Sequence, residues 1–439
     1  MSLNDSLAGL MAETVLPPLP LRAGGRVMAF DGTTLEAVGI DALVGGRALI
    51  GPARQAAEII GFRDGRALLM GLSALTGITP GAAVLTDGIA SDIPSGPALL
   101  GRVIDGLGRP MDGLGPIVAS ERRPLHGEAL APAERARVTE PLATGVRAID
   151  GLLTLGRGQR VGIMAGTGVG KSVLLGQVAR WATADVVVMA LIGERGREIT
   201  DFIETELAGA ARARTVTIAV PAGDAPLLRV RGAEQAFAIA EGFRAAGKHV
   251  LLILDSLSRV VHGAREVALA RGENAGGRGY PPSAMALIAA LAERAGGDRR
   301  SGGAITAIVT VLAEGDDATG DPVVDAARGV MDGHILLSRK LAGRGQFPAI
   351  DLAASASRVM ADVVDEAHLA AAARFRRLSA LIEDNRDLVL MGAYAPGADP
   401  ELDAALSLSP ALEAYRGQPR AVRAEFAAAR AALVELVQR

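Results

Sequence analysis

The chain has 439 residues, too many for one ordinary core, so two or three domains are expected. Apolar residues make up 49% and charged residues 22%, which excludes a disordered chain, and the net charge of −3 gives no blanket attraction to nucleic acid or anionic membrane. Cysteine is absent, so disulfide staples and thiolate metal sites are excluded.

Residues 1–20 place Leu3, Leu7, Leu10 and Met11 at helical spacing before Pro17, Pro18 and Pro20, the pattern of a frayed end or a docking helix. The same stretch carries acidic residues and no basic region before an apolar one, so no secretory signal is expected. From 21 to 95, short apolar runs such as "GRVMAF" and "GRALLMGL" are cut by glycine and Asp-Gly turns, which predicts a small β-barrel. The stretch "GRVIDGLGRPMDGLG" (101–115) reads as a linker rich in Gly, Pro and Asp. Between about 140 and 360 the pattern changes to buried strands alternating with helices. The strands are "QRVGIMA" (159–165), "DVVVMALIG" (185–193), "TVTIAV" (215–220), "HVLLILD" (249–255), "AITAIVTVL" (304–312) and "GHILLS" (333–338). Such continuous apolar runs predict an α/β core with a parallel sheet covered on both faces, assigned to 96–361 together with the linker. From 362 to 439, Ala, Leu, Arg and Glu dominate, as a helical domain requires. The longest apolar runs are of strand length, far short of a membrane span, and a cytoplasmic protein is expected.

The chemistry concentrates in "MAGTGVGKSVLL" (164–175), which follows a predicted strand and opens a predicted helix. That is the setting of a phosphate-binding loop: backbone N–H groups of Gly166, Thr167, Gly168, Val169 and Gly170 and the helix start at Lys171, Ser172 and Val173 converge on an anion. Lys171 is one of only three lysines in the chain, and its compact ammonium suits the β- and γ-phosphates of ATP, while the Ser172 hydroxyl suits Mg²⁺. The strict pattern G-x-x-x-x-G-K-S/T asks for glycine where Ala165 stands, which leaves the first position irregular. Asp255 ends a strand about eighty residues on, where a carboxylate would hold the Mg²⁺ shell through water. Glu194 and Arg195 lie just beyond another buried strand, where a carboxylate can polarise an attacking water and the arginine can position it. By pattern alone "FPAIDLAASASR" (347–358) is a turn.

That last run matches the signature of the rotary ATP synthase α/β superfamily at every fixed position, and "GERGRE", "GYPPS" (279–283) and "GRVIDGLGRPMDG" accompany it. Within the superfamily, "TGVRAIDGLLTLGRGQRVGIMAGTGVGKSVLL" (144–175) and "GAYAPGADPELDAAL" (392–406) resemble the flagellum-specific ATPase of the type III protein export apparatus, over roughly residues 20–439. The resemblance implies a β-barrel, a RecA-like P-loop ATPase core and a helical C-terminal domain, in a homohexamer with nucleotide at each interface. It makes Ala165 an accepted first loop position, Glu194 the carboxylate that orients water, and Arg358 the arginine donated to the neighbour's γ-phosphate. Phe347 stands where the family has a tyrosine against adenine, with Tyr394 a candidate for the other side of the base. "RGENAGGRGYPPS" (271–283) departs from the family in lacking a "GEPP" segment.

The implied partners are a dimeric regulator at residues 1–20, a central stalk protein, export chaperone–cargo complexes and an export gate, with peripheral contact at the inner face of the cytoplasmic membrane. A virulence-type (injectisome) secretion ATPase shares every catalytic motif and stays an alternative. A non-catalytic synthase subunit is expected to lack Glu194, and an RNA translocase would want more than 3% aromatics and a basic balance, so no nucleic-acid partner is expected.

Overall fold

The computed structural model describes residues 22–41, 43–90, 92–312 and 320–438. The expectation for residues 1–20 therefore lies outside the described residues. The first six strands, β1 (Arg22–Phe30), β2 (Thr34–Val38), β3 (Gly46–Ile50), β4 (Gln55–Arg63), β5 (Arg66–Gly71) and β6 (Ala83–Ala90), close into an antiparallel barrel in the order β1–β2–β5–β4–β3–β6. Alternation of small and aliphatic side chains fills its interior, with Leu35, Ala37, Ile50, Ile59 and Leu69 fully buried. Asp64 and Gly65 turn β4 into β5 with φ of 48° and 74°, the paired left-handed conformations of a tight hairpin.

The main sheet runs through β7 (Val103–Ile104), β8 (Arg160–Ala165), β9 (Val186–Glu194), β10 (Thr215–Pro221), β11 (His249–Asp255), β12 (Ala304–Leu312), β13 (Gly333–Leu337) and β14 (Ile350–Ser357). Their spatial order is β14–β13–β8–β12–β11–β9–β10–β7, with every neighbouring pair parallel except β13 and β14. Period-two alternation sends each strand's side chains to two separate cores. Val186, Val188, Ala190 and Ile192 pack toward α2 (Pro226–Ala245) and α3 (Leu257–Ala270), where Phe237 and Val260 are buried. Val187, Met189 and Leu191 share the opposite core with Leu174, Leu175 and Val178 of α1 (Lys171–Trp181). That second core also takes Phe375, Leu412 and Leu433 from the C-terminal helices α4 (Glu366–Asp384), α5 (Pro400–Arg416) and α6 (Phe426–Gln438).

Two stretches differ from the pattern reading. Residues 350–357 are a strand because Ile350 and Leu352 are buried against the core while the backbone pairs antiparallel with β13. Within the linker-like stretch, Val103 and Ile104 join the far edge of the sheet, and Arg102 clamps the following loop through bonds of 2.7 and 2.9 Å to Asp112. The Arg102 guanidinium holds the Asp112 carboxyl well below the usual carboxylate range. The barrel meets the core at α2, whose Arg231 donates to Glu58 of β4, both side chains being buried.

Candidate active site

Ala165 is the last residue of β8, fully buried, and its backbone does not take a positive φ, so a methyl group fits where the strict motif asks for glycine. Beyond it the chain needs the freedom of glycine. Gly168 and Gly170 take φ of 79° and 85°, and Gly170 is the residue from which α1 starts. Val169 is buried and roots the loop in the core, while Thr167, Gly168 and Ser172 are exposed on its open side and Gly166 is half-buried. The loop therefore turns its amides outward at a helix N-terminus, the geometry that binds phosphate.

Four adjacent strands of the sheet, β8, β12, β11 and β9, bring their C-terminal ends together beside this loop. From those ends Lys171 Nζ lies 2.5 Å from Asp255 Oδ1 and 3.4 Å from Glu194 Oε1. Thr310 of β12 donates to the same Asp255 oxygen at 2.6 Å. Burial disfavours the Lys171 ammonium, yet the two carboxylates outweigh it and its pKa is raised. Burial raises the Glu194 pKa, aided by the Asp255 charge and opposed by Lys171. Arg195 points away: its side chain is 84% exposed and pairs with Glu198 at 3.1 Å.

A cavity of about 640 Å³ opens beside the loop. Gly170, Val173 and Phe347 form one side, and Gln418, Pro419 and Arg420, from the turn between α5 and α6, form another. The Phe347 ring is so close to the loop that a Cβ on Gly170 would stand 3.2 Å from it. Tyr394 does not line this cavity. Its hydroxyl donates to Asp403 at 2.9 Å and accepts from the Asp399 N–H at 3.2 Å, tying up the turn before α5.

A search of family models matches residues 145–357 to the nucleotide-binding domain of the ATP synthase alpha/beta family, and residues 364–435 to the C-terminal domain of the T3SS EscN ATPase. The chain is 49% identical to the flagellum-specific ATP synthase of Salmonella typhimurium, covering 96% of this chain and 95% of that protein. It is 46% identical to the protein of the same name from Pseudomonas aeruginosa, covering 98% and 96%. Among solved structures, the assembled ATPase EscN of the enteropathogenic E. coli type III secretion system superposes with a TM-score of 0.90. It shares 40% identity over 94% of this chain and all of that one. The chain belongs to the family of flagellum-specific and type III secretion ATPases.

In this ATPase, Arg358 stands apart from the P-loop. The register pairs Ala165 with Leu337 at the nucleotide end of β13, and Gly333 with Ser357 at the other end. Arg358 follows Ser357 on the antiparallel edge strand, so it sits at the opposite end of the sheet from Lys171. There it is exposed, and its Nη2 donates to the Arg328 carbonyl at 3.3 Å. The structure thus brings Lys171, Glu194 and Asp255 together, places Phe347 beside the loop, and leaves Arg195, Tyr394 and Arg358 outside.

Two groups of residues escaped the sequence reading. Thr310 lies in a strand that also holds Thr306, and the pattern gives no sign of which threonine reaches the site. Gln418, Pro419 and Arg420 come from the C-terminal region, and "GQPR" carries no motif that points to phosphate or base. Among the described residues no group of three or more His, Cys, Asp or Glu could hold a metal ion. A cation at this site would instead take the exposed Ser172 hydroxyl, the Asp255 carboxylate and substrate oxygens. The donor set fits: both protein bonds to Asp255 fall on Oδ1, and hard oxygen ligands suit Mg²⁺.

Proposed function

We propose that this ATPase energises type III export of flagellar proteins, hydrolysing ATP at the subunit interfaces of a homohexameric ring. The observation that carries the interface is the position of Arg358. The P-loop site sets one buried lysine against two carboxylates, while Arg358 stands exposed at the far end of an edge strand, where it can serve another copy. Triphosphate seats on the amides of 166–172, and Lys171 turns from Asp255 and Glu194 toward the β- and γ-oxygens. Ser172 and Asp255 would hold Mg²⁺, which when bound neutralises charge on the phosphates. Glu194, its pKa raised by burial, orients the attacking water and takes its proton. The neighbour's Arg358 meets the charge that develops on the transferred phosphoryl group. Phe347 stacks on the base.

The flagellar role is favoured by 46–49% identity to two flagellum-specific relatives over nearly the whole chain. The type 3 secretion system ATPase of Sinorhizobium fredii is 45% identical over 87% of this chain. In this reading the partners are a central stalk, a dimeric regulator, chaperone–cargo complexes and an export gate, and the ring works in the cytoplasm at the inner face of the membrane. The stalk is supported by the structure of EscN in complex with its central stalk EscO, which matches with a TM-score of 0.88 at 39% identity. No helix among the described residues is long and apolar enough to cross a membrane.

The test is ATPase rate per chain against protein concentration. The wild type should rise cooperatively, and Arg358→Ala should lose that rise with a fall of about 10³–10⁵-fold in turnover. A flat specific activity that is indifferent to Arg358 would sink the interface mechanism. Loss of swarming in a Glu194→Gln strain with other secretion intact supports the flagellar role.

A further inference from the structure

Glu206 is a carboxylate only 3% exposed that two arginines share, and none of the three has a part in the chemistry above. It closes a single π-helical turn, Phe202–Glu206, continuing a short helix, Gly196–Asp201, that begins two residues after Glu194. Turns of this kind have poorer hydrogen-bond geometry than the α-helix and recur at functional positions. Ile199, Phe202 and Leu207 seat the segment in the same core as Leu174, Leu175 and Val178 of the P-loop helix α1. Gly176 of α1 leaves the room, since a Cβ there would overlap the Glu206 carboxylate.

The carboxylate then reaches two ways. Oε2 accepts from Nη1 of Arg180, one turn along α1 from Gly176, and the same nitrogen donates to the Glu206 carbonyl at 3.0 Å. Oε1 accepts from Nη2 of Arg420, which walls the cavity beside Pro419. Gln177 of α1 adds a bond of 3.4 Å to the Arg420 carbonyl. Three elements therefore meet at one buried charge: the segment that follows Glu194, the helix that carries Lys171, and the cavity wall contributed from beyond α5.

We propose that Glu206 is a positioning residue that couples the base side of the nucleotide cavity to Glu194. It rests on the reading of this cavity as the seat of the base. An exposed arginine–carboxylate pair would be weak, but here the carboxylate is desolvated, and loss of Arg420 leaves its Oε1 without a cation while Arg180 keeps Oε2. A base seated against Pro419 and Arg420 keeps the wall against α1 and the clasp closed. The closed clasp fixes the end of the 196–206 segment and with it the position of Glu194. By linkage, whatever loosens the clasp weakens base binding and turnover together.

The experiment measures calorimetric affinity for ADP and for pyrophosphate, and kcat at saturating ATP, on the full chain. The variants are Glu206→Gln, Arg420→Ala, Arg420→Lys and the double Glu206→Gln/Arg420→Ala. Each of the first two should weaken ADP about tenfold, the loss of one charged hydrogen bond, and leave pyrophosphate within about twofold. Arg420→Ala, on the turn between α5 and α6, should still lower kcat about threefold or more. Arg420→Lys should recover part of both effects, and the double variant should be no worse than the more severe single. Equal weakening of pyrophosphate and ADP, an unchanged kcat in Arg420→Ala, or additive effects in the double variant overturn the coupling. Phe347→Ala separates the two readings: if it leaves the preference for ADP over pyrophosphate intact, the base is not seated here and the cavity reading itself fails.

Discussion

Where the barrel meets the core, Arg231 closes over Glu58, and both side chains are under a tenth exposed. At the P-loop, Lys171 faces Asp255 and Glu194 together, one ammonium against two carboxylates. Both places bury charge at similar depth, and burial raises the carboxyl pKa of Glu58 and of Glu194 alike. The difference lies in completion. At the seam one guanidinium meets one carboxylate, so the charge of the pair balances and nothing drives it to open once folded. The lysine cluster carries surplus negative charge beside a loop built for anions, so it is at rest only until a ligand with its own cation rearranges it. Burial alone does not mark a site; burial with an unbalanced charge count beside open space does.

Breaking the two clusters should show that contrast. The largest effect is expected in Glu194→Gln: kcat should fall by about 10²–10⁴-fold in a steady-state ATPase assay, with thermal stability held. Glu58→Ala should do the reverse. It leaves Arg231 without its buried carboxylate partner and should cost about 3–5 kcal/mol in denaturant unfolding, with kcat per folded chain unchanged. The paired replacement Glu58→Leu/Arg231→Met should recover most of that loss.

A smaller effect comes from a buried group that stays neutral. Burial and the nearby Arg157 hold the His249 pKa down to about 4, against 6.5 for a free imidazole, and its Nε2 is 2.9 Å from the Thr306 hydroxyl. The folded state resists the proton, so this contribution is fully present above the unfolded pKa and is lost as pH falls through it toward the folded one. Going from about pH 7 to about pH 5 should lower stability by about 2 kcal/mol through this residue, and His249→Asn should flatten that slope in unfolding curves. The smallest effect is expected in Tyr394→Phe, which should leave ADP affinity within about twofold because the hydroxyl serves only its own turn.

The sequence showed most clearly what local chemistry demands. A phosphate loop needs glycines with left-handed φ and a lysine at a helix start, so Gly168, Gly170 and Lys171 were legible without their neighbours. Asp255 and Glu194 were legible because each ends a run too apolar to be anything but a buried strand. Ile350–Ser357 was not, because its alanines and serines dilute the strand pattern and its pairing with β13 is a tertiary fact. The cavity wall at Gln418–Arg420 and the partners of Glu206 come together only when the C-terminal helices pack on α1. Tyr394 was proposed by resemblance, and in this chain its hydroxyl is engaged with Asp403 while the residue lies outside the lining of the cavity beside the loop.

The antiparallel edge strand β14 has eight residues, but a bulge between its Asp351–Leu336 and Ala356–His334 pairings fits them against the five residues Gly333–Leu337, roughly 16 Å at about 3.3 Å each. Phe347 precedes one end, beside the chain's own P-loop, and Arg358 follows the other, where the proposed ring places the next chain's nucleotide. In that ring one bulged strand would touch two successive chambers. A shift of the strand as the base enters one chamber would reach the arginine in the next. Firing order around the ring would then be a matter of levers.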